Sequence, residues 1–219
     1  MQARSNRVIL VLKIALLKGE GKQIIMGKPL VILVNGLPGT GKTTLARRLA
    51  ADVRLPVFSR DGIYETLYDA LECHSNGLPP LLGSAAFTLL YYVVSSVLAA
   101  GQSVIVEGFF GRPELRTAEF LHLQRTYDFE PFQILCNADG AVLLERFLAR
   151  VGIPERHVGH RDRDLEWIEQ NKEHLLQAHL PPLALGGQLV EIDTTTPDRF
   201  DYADLLQRVH AALFNTLTI

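Results

Sequence analysis

Short, uninterrupted apolar runs alternate along the chain with longer segments in which apolar residues recur every three or four positions. Leu30-Val31-Ile32-Leu33-Val34 is apolar at every position, the pattern of a strand covered on both faces in a parallel sheet. Thr43 to Val53 then sets Leu45, Leu49 and Ala50 on one helical face. Leu55 to Phe58 reads as a second strand, and Asp61 to Leu71 as a helix with Ile63, Leu67 and Leu71 aligned. The stretch Asn76-Gly77-Leu78-Pro79-Pro80 breaks the chain. Beyond it, Ser84 to Ala100 reads as a largely apolar helix, Ser103 to Val106 as a third strand and Pro113 to Tyr127 as a helix. Phe132 to Cys136 and Leu189 to Ile192 add two strands, with a helix near Ala141 to Arg150 after the fourth and a closing helix from Arg199 to Phe214. Strands that alternate with helices in this way predict an α/β fold, a five-stranded parallel sheet with helices on both faces.

The amino terminus needs a separate reading, because Arg4 and Arg7 precede the apolar run Val8 to Leu17, an order that superficially matches a signal peptide. Lys13 interrupts the run, no small-x-small cleavage site follows, and the run falls short of the roughly 20 residues that span a bilayer. Residues 1–25 are therefore expected to be an extension outside a folded domain covering 26–219. The composition, 47% apolar and 21% charged, excludes a disordered, collagen-like or coiled-coil chain. Twenty-two Lys and Arg against 24 Asp and Glu give a net charge of −2, so no global positive field exists to hold a long nucleic acid. Cys73 and Cys136 lie far apart without CxxC spacing, which argues against a disulfide framework or a zinc site and suits a soluble protein of the reducing cytoplasm.

Against this background one segment stands out. Gly36, Leu37, Pro38, Gly39, Thr40, Gly41, Lys42, Thr43 and Thr44 fit G-x-x-x-x-G-K-[ST] and sit between an expected strand and an expected helix, the context that gives the motif its specificity. The glycines let backbone N–H groups turn inward around phosphate oxygens, and the helix beginning near Lys42 points its positive end at the same anion. Lys42 would neutralise the β- and γ-phosphates of ATP, and the Thr43 hydroxyl would ligate Mg2+. The motif in this context predicts a P-loop NTPase fold and, with it, nucleotide binding.

In an open parallel sheet the site lies at the carboxyl ends of the strands. Asp61 follows the second strand in Phe58-Ser59-Arg60-Asp61. A carboxylate there can accept the proton of an attacking hydroxyl, or it can cap the helix beginning at Gly62. Glu107 ends the third strand after four apolar positions, where burial is costly without a partner, and is a candidate to contact Mg2+ through water or to contact the substrate. Phe109 and Phe110 follow it and could wall an acceptor pocket. Arg146, Arg150, Arg156, Arg161 and Arg163 punctuate the next region. The i, i+4 pair Arg146 and Arg150 would share one helix face, Arg150 suiting the charge of a transferring phosphoryl group and Arg146 the nucleotide. Gly152, Pro154 and Gly159 would let a small helical lid at about 150–165 close and exclude water. His157 and His160 lack further His or Cys at ligand spacing, which argues against zinc.

From Leu30 to about Thr195 these residues resemble the small P-loop kinases of the AAA-domain or zeta-toxin-like group, which includes chloramphenicol phosphotransferase. The resemblance implies that Gly36 to Thr44 form the phosphate loop, that Asp61 is the catalytic base, and that Arg146 and Arg150 match the lid arginines. It also implies that Glu191-Ile192-Asp193-Thr194-Thr195 borders the adenine, although a strand and capping turn explain that segment equally well. Ser59-Arg60-Asp61 is similar to the polynucleotide 5′-kinases too, in which Glu107 would match the acid after the third strand. There the Asp is commonly followed, three residues on, by an Arg that contacts the acceptor phosphate, and this chain has Tyr64. With the net charge of −2, that departure favours a small neutral hydroxyl acceptor over nucleic acid. The function implied is ATP- and Mg2+-dependent phosphoryl transfer to a small molecule, with a nucleotide-dependent regulatory ATPase or switch and a polynucleotide 5′-hydroxyl kinase as the alternatives. No N-K-x-D guanine motif is present.

Overall fold

The computed structural model describes residues 28–151, 153–154, 156–160, 168–170, 172–173, 176, 180–196 and 199–215. The extension expected over residues 1–25 lies outside them, as do Arg161 and Arg163 of the segment expected to form a lid.

In chain order the elements are β1 (Leu30–Gly36), α1 (Lys42–Val53), β2 (Val57–Ser59), α2 (Arg60–Ala70), α3 (Cys73–Asn76), α4 (Leu82–Ala99), β3 (Val104–Gly108), α5 (Pro113–Tyr127), β4 (Glu130–Asn137), α6 (Gly140–Leu148), β5 (Gln188–Asp193) and α7 (Tyr202–Asn215). The strands form one parallel sheet in the order β2-β3-β1-β4-β5. β1 is therefore central, buried at all seven positions, as its unbroken apolar run requires.

Alternation along β1 divides the core. Leu30, Ile32 and Val34 pack with Leu45 and Leu49 of α1 and with Leu205 and Val209 of α7. Val31 and Leu33 face the other way, towards Leu90, Val94 and Leu98 of α4 and Phe120 and Leu123 of α5. The sheet is thus covered on both sides, which is what lets both sets of side chains be apolar. By length and composition alone α4 could cross a membrane, but Leu82, Ala86, Leu90, Val94 and Leu98 form a buried stripe on this helix.

Several boundaries shift by one to three residues from the sequence reading, and three differences bear on the site. The second strand begins at Val57, and a short helix, α3, occupies Cys73–Asn76 where only a break was expected. The helix after β4 stops at Leu148, so Arg150 lies in the following turn, where its N–H bonds back to the Phe147 carbonyl at 3.0 Å. Arg146 and Arg150 therefore do not share one helix face.

Candidate active site

The order of strands brings three carboxyl ends together: β1 leads into the glycine loop, β3 on one side ends in Glu107-Gly108, and β2 beyond it ends at Ser59. The loop owes its shape to its glycines. Gly39 and Gly41 adopt φ of 95° and 75°, which strains any residue with a Cβ. At Gly36 a Cβ would lie 2.6 Å from the Cys136 carbonyl oxygen and 2.7 Å from Thr40 Oγ1, so only glycine fits against β4. Inside the loop the Thr40 hydroxyl donates to the Leu37 carbonyl at 2.8 Å. Asn35 fixes the entry: its Oδ1 accepts from the N–H groups of Gly36 at 2.8 Å and Phe110 at 3.1 Å, joining the loop to the segment after β3.

Lys42 and Thr43 open α1, so their side chains stand where the positive end of the helix meets the loop. Lys42 is 5% exposed, and its Nζ lies 4.0 Å from Oε1 of Glu107. The Thr43 hydroxyl donates to the same oxygen at 3.1 Å. Glu107 is 1% exposed, and its Oε2 is buried without a hydrogen-bond partner. A carboxylate in that position needs a further partner, and a cation's hydration water fits the need. The proton of Thr43 is already committed to Glu107, which leaves its oxygen lone pairs to face a metal. These residues therefore fit the Mg2+ site expected from the sequence.

Asp61 belongs to the first turn of α2, yet it does not cap that helix. Ser59 is the N-cap, its Oγ accepting from the Gly62 N–H at 3.3 Å, and the helix starts one residue earlier than the sequence suggested. The capping alternative for Asp61 is thereby removed, and its carboxylate, 31% exposed, pairs with Nη1 of Arg60 at 3.0 Å. Burial pushes the Asp61 carboxyl upward, but the charge of Lys42, the hydrogen bond and charge of Arg60 and the field of His160 outweigh it. The net result is a carboxyl below its ordinary value, so the group is ionised at neutral pH. Phe110, one of the two aromatics after β3, is fully buried among Val106, Phe120 and the α4 side chains, whereas Phe109 is only partly buried.

On the opposite side of the loop, Arg146 extends from α6. Its Nη1 donates to the Gly39 carbonyl at 3.2 Å, and its Nη2 donates to the carbonyls of Thr194 at 2.8 Å and Thr195 at 3.1 Å. The guanidinium thus ties the glycine loop to the end of β5, the segment the resemblance places beside the adenine. The described part of residues 150–165 folds onto α2. Tyr64 donates to the Gly159 carbonyl at 3.2 Å, His160 Nε2 lies 2.6 Å from Oε1 of Glu65, and His157 Nε2 lies 3.0 Å from Oδ1 of Asp69. Both histidines are thus engaged with carboxylates, and no metal-binding cluster occurs among the described residues. The sequence reading missed Arg60 and Asn35. An Arg directly before the candidate base was a visible signal for the first, while Asn35 carries no signal outside its three-dimensional contacts.

Beside the site, a cleft of about 520 Å³ runs along the exposed edge of β2, with Thr43 and Glu107 at one end and Ile63, Leu67, Leu89 and Val93 along its walls. Asp61 is not among its lining residues, although its neighbours Ser59 and Gly62 are.

Comparison with known proteins bears on the fold. A family model described as an AAA domain, AAA_33, matches residues 31–175. Uncharacterized proteins of Mycobacterium tuberculosis and Mycobacterium bovis are 32% identical over 129 residues, which is 55% of this chain and 25% of each of theirs. The chain thus spans about a quarter of the length of these curated relatives. Among solved structures, a candidate kinase from Chloroflexus aurantiacus is 36% identical, with a TM-score of 0.74 over 84% of this chain and 98% of that one. Kti12 from Chaetomium thermophilum, solved with ADP-AlF3, shares the fold at 20% identity and a TM-score of 0.57 over 87% of this chain and 100% of its own. A family match across β1 to β4, together with a close structural relative covered almost end to end, places the chain: it belongs to the AAA-domain family AAA_33 and has the fold of the small P-loop kinases.

Proposed function

We propose that the protein is an ATP- and Mg2+-dependent kinase that transfers the γ-phosphoryl group to a hydroxyl of a small molecule. The observation that carries this reading is Asp61: a partly exposed carboxylate, relieved of helix capping by Ser59, held ionised, and close enough to feel the charge of Lys42. A nucleotide switch needs one acid beside its phosphate loop, for Mg2+; Glu107 suits that role, which leaves Asp61 as a second carboxylate for proton transfer.

The loop from Gly36 to Thr44 wraps the phosphates, with Lys42 on the β- and γ-oxygens. Thr43 directly, and Glu107 through water, would hold Mg2+, which would supply neutralising charge to the phosphates. An acceptor hydroxyl approaches from the α2 side and gives its proton to Asp61 as its oxygen bonds to the γ-phosphorus. The bond from that phosphorus to the bridging oxygen breaks, and ADP leaves with Lys42 balancing its charge. Arg150, in the turn after α6, is assigned to the charge that develops on the moving phosphoryl group. Arg146 preserves the shape of the loop around the nucleotide. The 156–160 segment, docked on α2, is the part of the lid that would exclude water. The net charge of −2 favours a small acceptor over nucleic acid, and two free, buried cysteines suit a reducing cytoplasm.

The test is Asp61→Asn. Phosphate transfer from labelled ATP to a stimulating hydroxyl compound should fall by roughly 10²–10⁴-fold, while ATP affinity measured by equilibrium binding stays close to wild type. Slow ATP turnover that no hydroxyl compound stimulates, and that Asp61→Asn leaves unchanged, would instead identify a regulatory ATPase.

A further inference from the structure

Among the described residues, three buried side-chain atoms lack a hydrogen-bond partner: Glu107 Oε2, Asn35 Nδ2 and Arg60 Nε. Their residues all lie at or just beyond the carboxyl ends of β1, β3 and β2. Buried orphans are rare enough that each requires an explanation, and the cation site accounts for Glu107. The other two are both donors, and both belong to the opposite face of the sheet, around Gly108. Asn35 is the register partner of Gly108. A Cβ on Gly108 would meet Arg60 Cβ at 3.1 Å and the Phe110 ring at 3.4 Å.

The orientation of each donor is fixed by contacts already made. Asn35 Oδ1 accepts two backbone N–H groups, which settles the sense of its amide and turns Nδ2 away from them. Arg60 spends Nη1 on Asp61, and its guanidinium lies over the rings of Tyr64 at 5.0 Å and Phe87 at 5.1 Å. Its Nη2 lies 3.2 Å from where a Cβ on Gly83 would stand. Gly83 and Gly108 together leave the slot this side chain needs. What remains is the edge formed by Nε, buried without a partner, and Nη2, which meets no acceptor among the described residues; the side chain as a whole is 20% exposed.

A guanidinium edge of that kind matches two oxygens of one anionic group. A neutral hydroxyl offers a single oxygen that carries its own proton. We therefore propose that the acceptor carries a carboxylate or phosphate in addition to its reactive hydroxyl, and that this anion is read by the Nε–Nη2 edge of Arg60 with the Asn35 amide beside it. The inference rests on the kinase reading above and replaces the neutral acceptor expected from Tyr64 with an anionic one. It also places the reactive hydroxyl near Asp61, since Arg60 holds that carboxylate with its other edge.

The experiment is a panel of hydroxy acids (gluconate, glycerate), sugar phosphates (glucose 6-phosphate) and their neutral counterparts (glucose, glycerol). Each is assayed for ATP-dependent phosphate uptake and, with ADP present, for binding by calorimetry. An acid or a sugar phosphate should be preferred to its neutral counterpart, and which of the two is preferred separates carboxylate from phosphate. In Arg60→Gln the KM for that acceptor should rise by roughly tenfold or more, as expected for a lost charged hydrogen-bond pair, with the KM for ATP unchanged and partial recovery in Arg60→Lys. A neutral alcohol used as well as its acid would overturn the proposal. So would an Arg60→Gln variant, folded by circular dichroism, that loses kcat with no change in acceptor KM, because Arg60 would then serve only to position Asp61. Should nothing in the panel be phosphorylated, the kinase reading fails first, and the calorimetry decides the present one. Tighter binding of the anions that Arg60→Gln weakens would sustain an anion site, and equal or absent binding would refute it.

Discussion

At the scale of single residues the site is governed by competition for polar partners. Ser59 takes the capping role, so Asp61 is left with Arg60, and the two cations near it hold its carboxyl below the ordinary value of 3.8. A carboxyl depressed in the folded state adds stability that is fully present above its unfolded value and is lost as pH falls through the lower folded value. Over the pH range of an ordinary assay Asp61 should therefore remain ionised, and its protonation should not limit kcat/KM above about pH 5. In Arg60→Gln the lost positive charge should move the acid limb of that profile upward, and an unmoved limb would show that Arg60 does not tune the base. Gly36 supports a second prediction. Its missing Cβ sits 2.6 Å from a backbone oxygen of β4, a contact that no side-chain rotation relieves. Gly36→Ala should cost roughly 1–3 kcal/mol, measured from denaturant midpoints, and should lower ATP affinity because Thr40 is displaced with it. The glycine loop, Lys42 and Thr43 were legible in the sequence because their chemistry is local. The roles of Ser59 and Asp61 were not, since either oxygen could cap the same helix end and only the path of the backbone decides which one does.

Among the elements, those with strong periodicity were read correctly and those shaped by their neighbours were not. β1 and α4 reveal themselves through continuous or stripe-like apolar positions, because burial selects each side chain independently. β2 has only three residues and is defined by pairing with β3 from Val57 to Ser59, a fact of the sheet rather than of the segment. The same holds for α6, which loses its regular ladder at Leu148, where the N–H of Arg150 bonds to Phe147 in a tighter turn. The junction of β2 and α2 matters most for function. Ser59 ends the strand and caps the helix, so it sets the direction in which α2 presents Asp61, Tyr64 and Glu65. Ser59→Ala should cost about 1 kcal/mol of stability, the usual loss for a side-chain N-cap. It should also reduce kcat more than the affinity for ATP, because the phosphate loop belongs to a different strand. Steady-state kinetics beside a thermal melt would check both parts, and an equal loss of both would mean that the helix as a whole has shifted.

For the whole molecule, the parallel sheet separates what makes the fold stable from what makes it bind. The apolar side chains of β1, β3 and β4 are buried in the layers on either face, whereas the polar groups gather at the carboxyl edge, where each strand ends and loops diverge. That division was legible in the pattern of the chain, because the inner strands are mostly apolar along their length and turn polar at their ends, as Asn35 and Glu107 do; Gln133, buried within β4, spends its amide on the Leu183 backbone. It also implies that stability and nucleotide affinity should respond to different substitutions. Phe132, fully buried between β1 and the α1 and α7 layer, lies far down its strand from the loop. Phe132→Ala should destabilise the protein by roughly 3–5 kcal/mol while leaving the ATP dissociation constant of the folded fraction within about threefold, since additivity holds for sites without shared partners. Lys42→Ala should remove nucleotide binding, and because it takes away the cation 4.0 Å from the buried Glu107 carboxylate it should cost some stability as well. Binding to the folded state alone stabilises by about 2.7 kcal/mol at a hundredfold excess over Kd. Mg-ATP should therefore raise the melting temperature of wild type and of Phe132→Ala by the same free energy, and should have almost no effect on Lys42→Ala. A ligand shift that vanished in Phe132→Ala as well would mean that the sheet and the loop are one cooperative unit, and that the separation between core and edge drawn here is wrong.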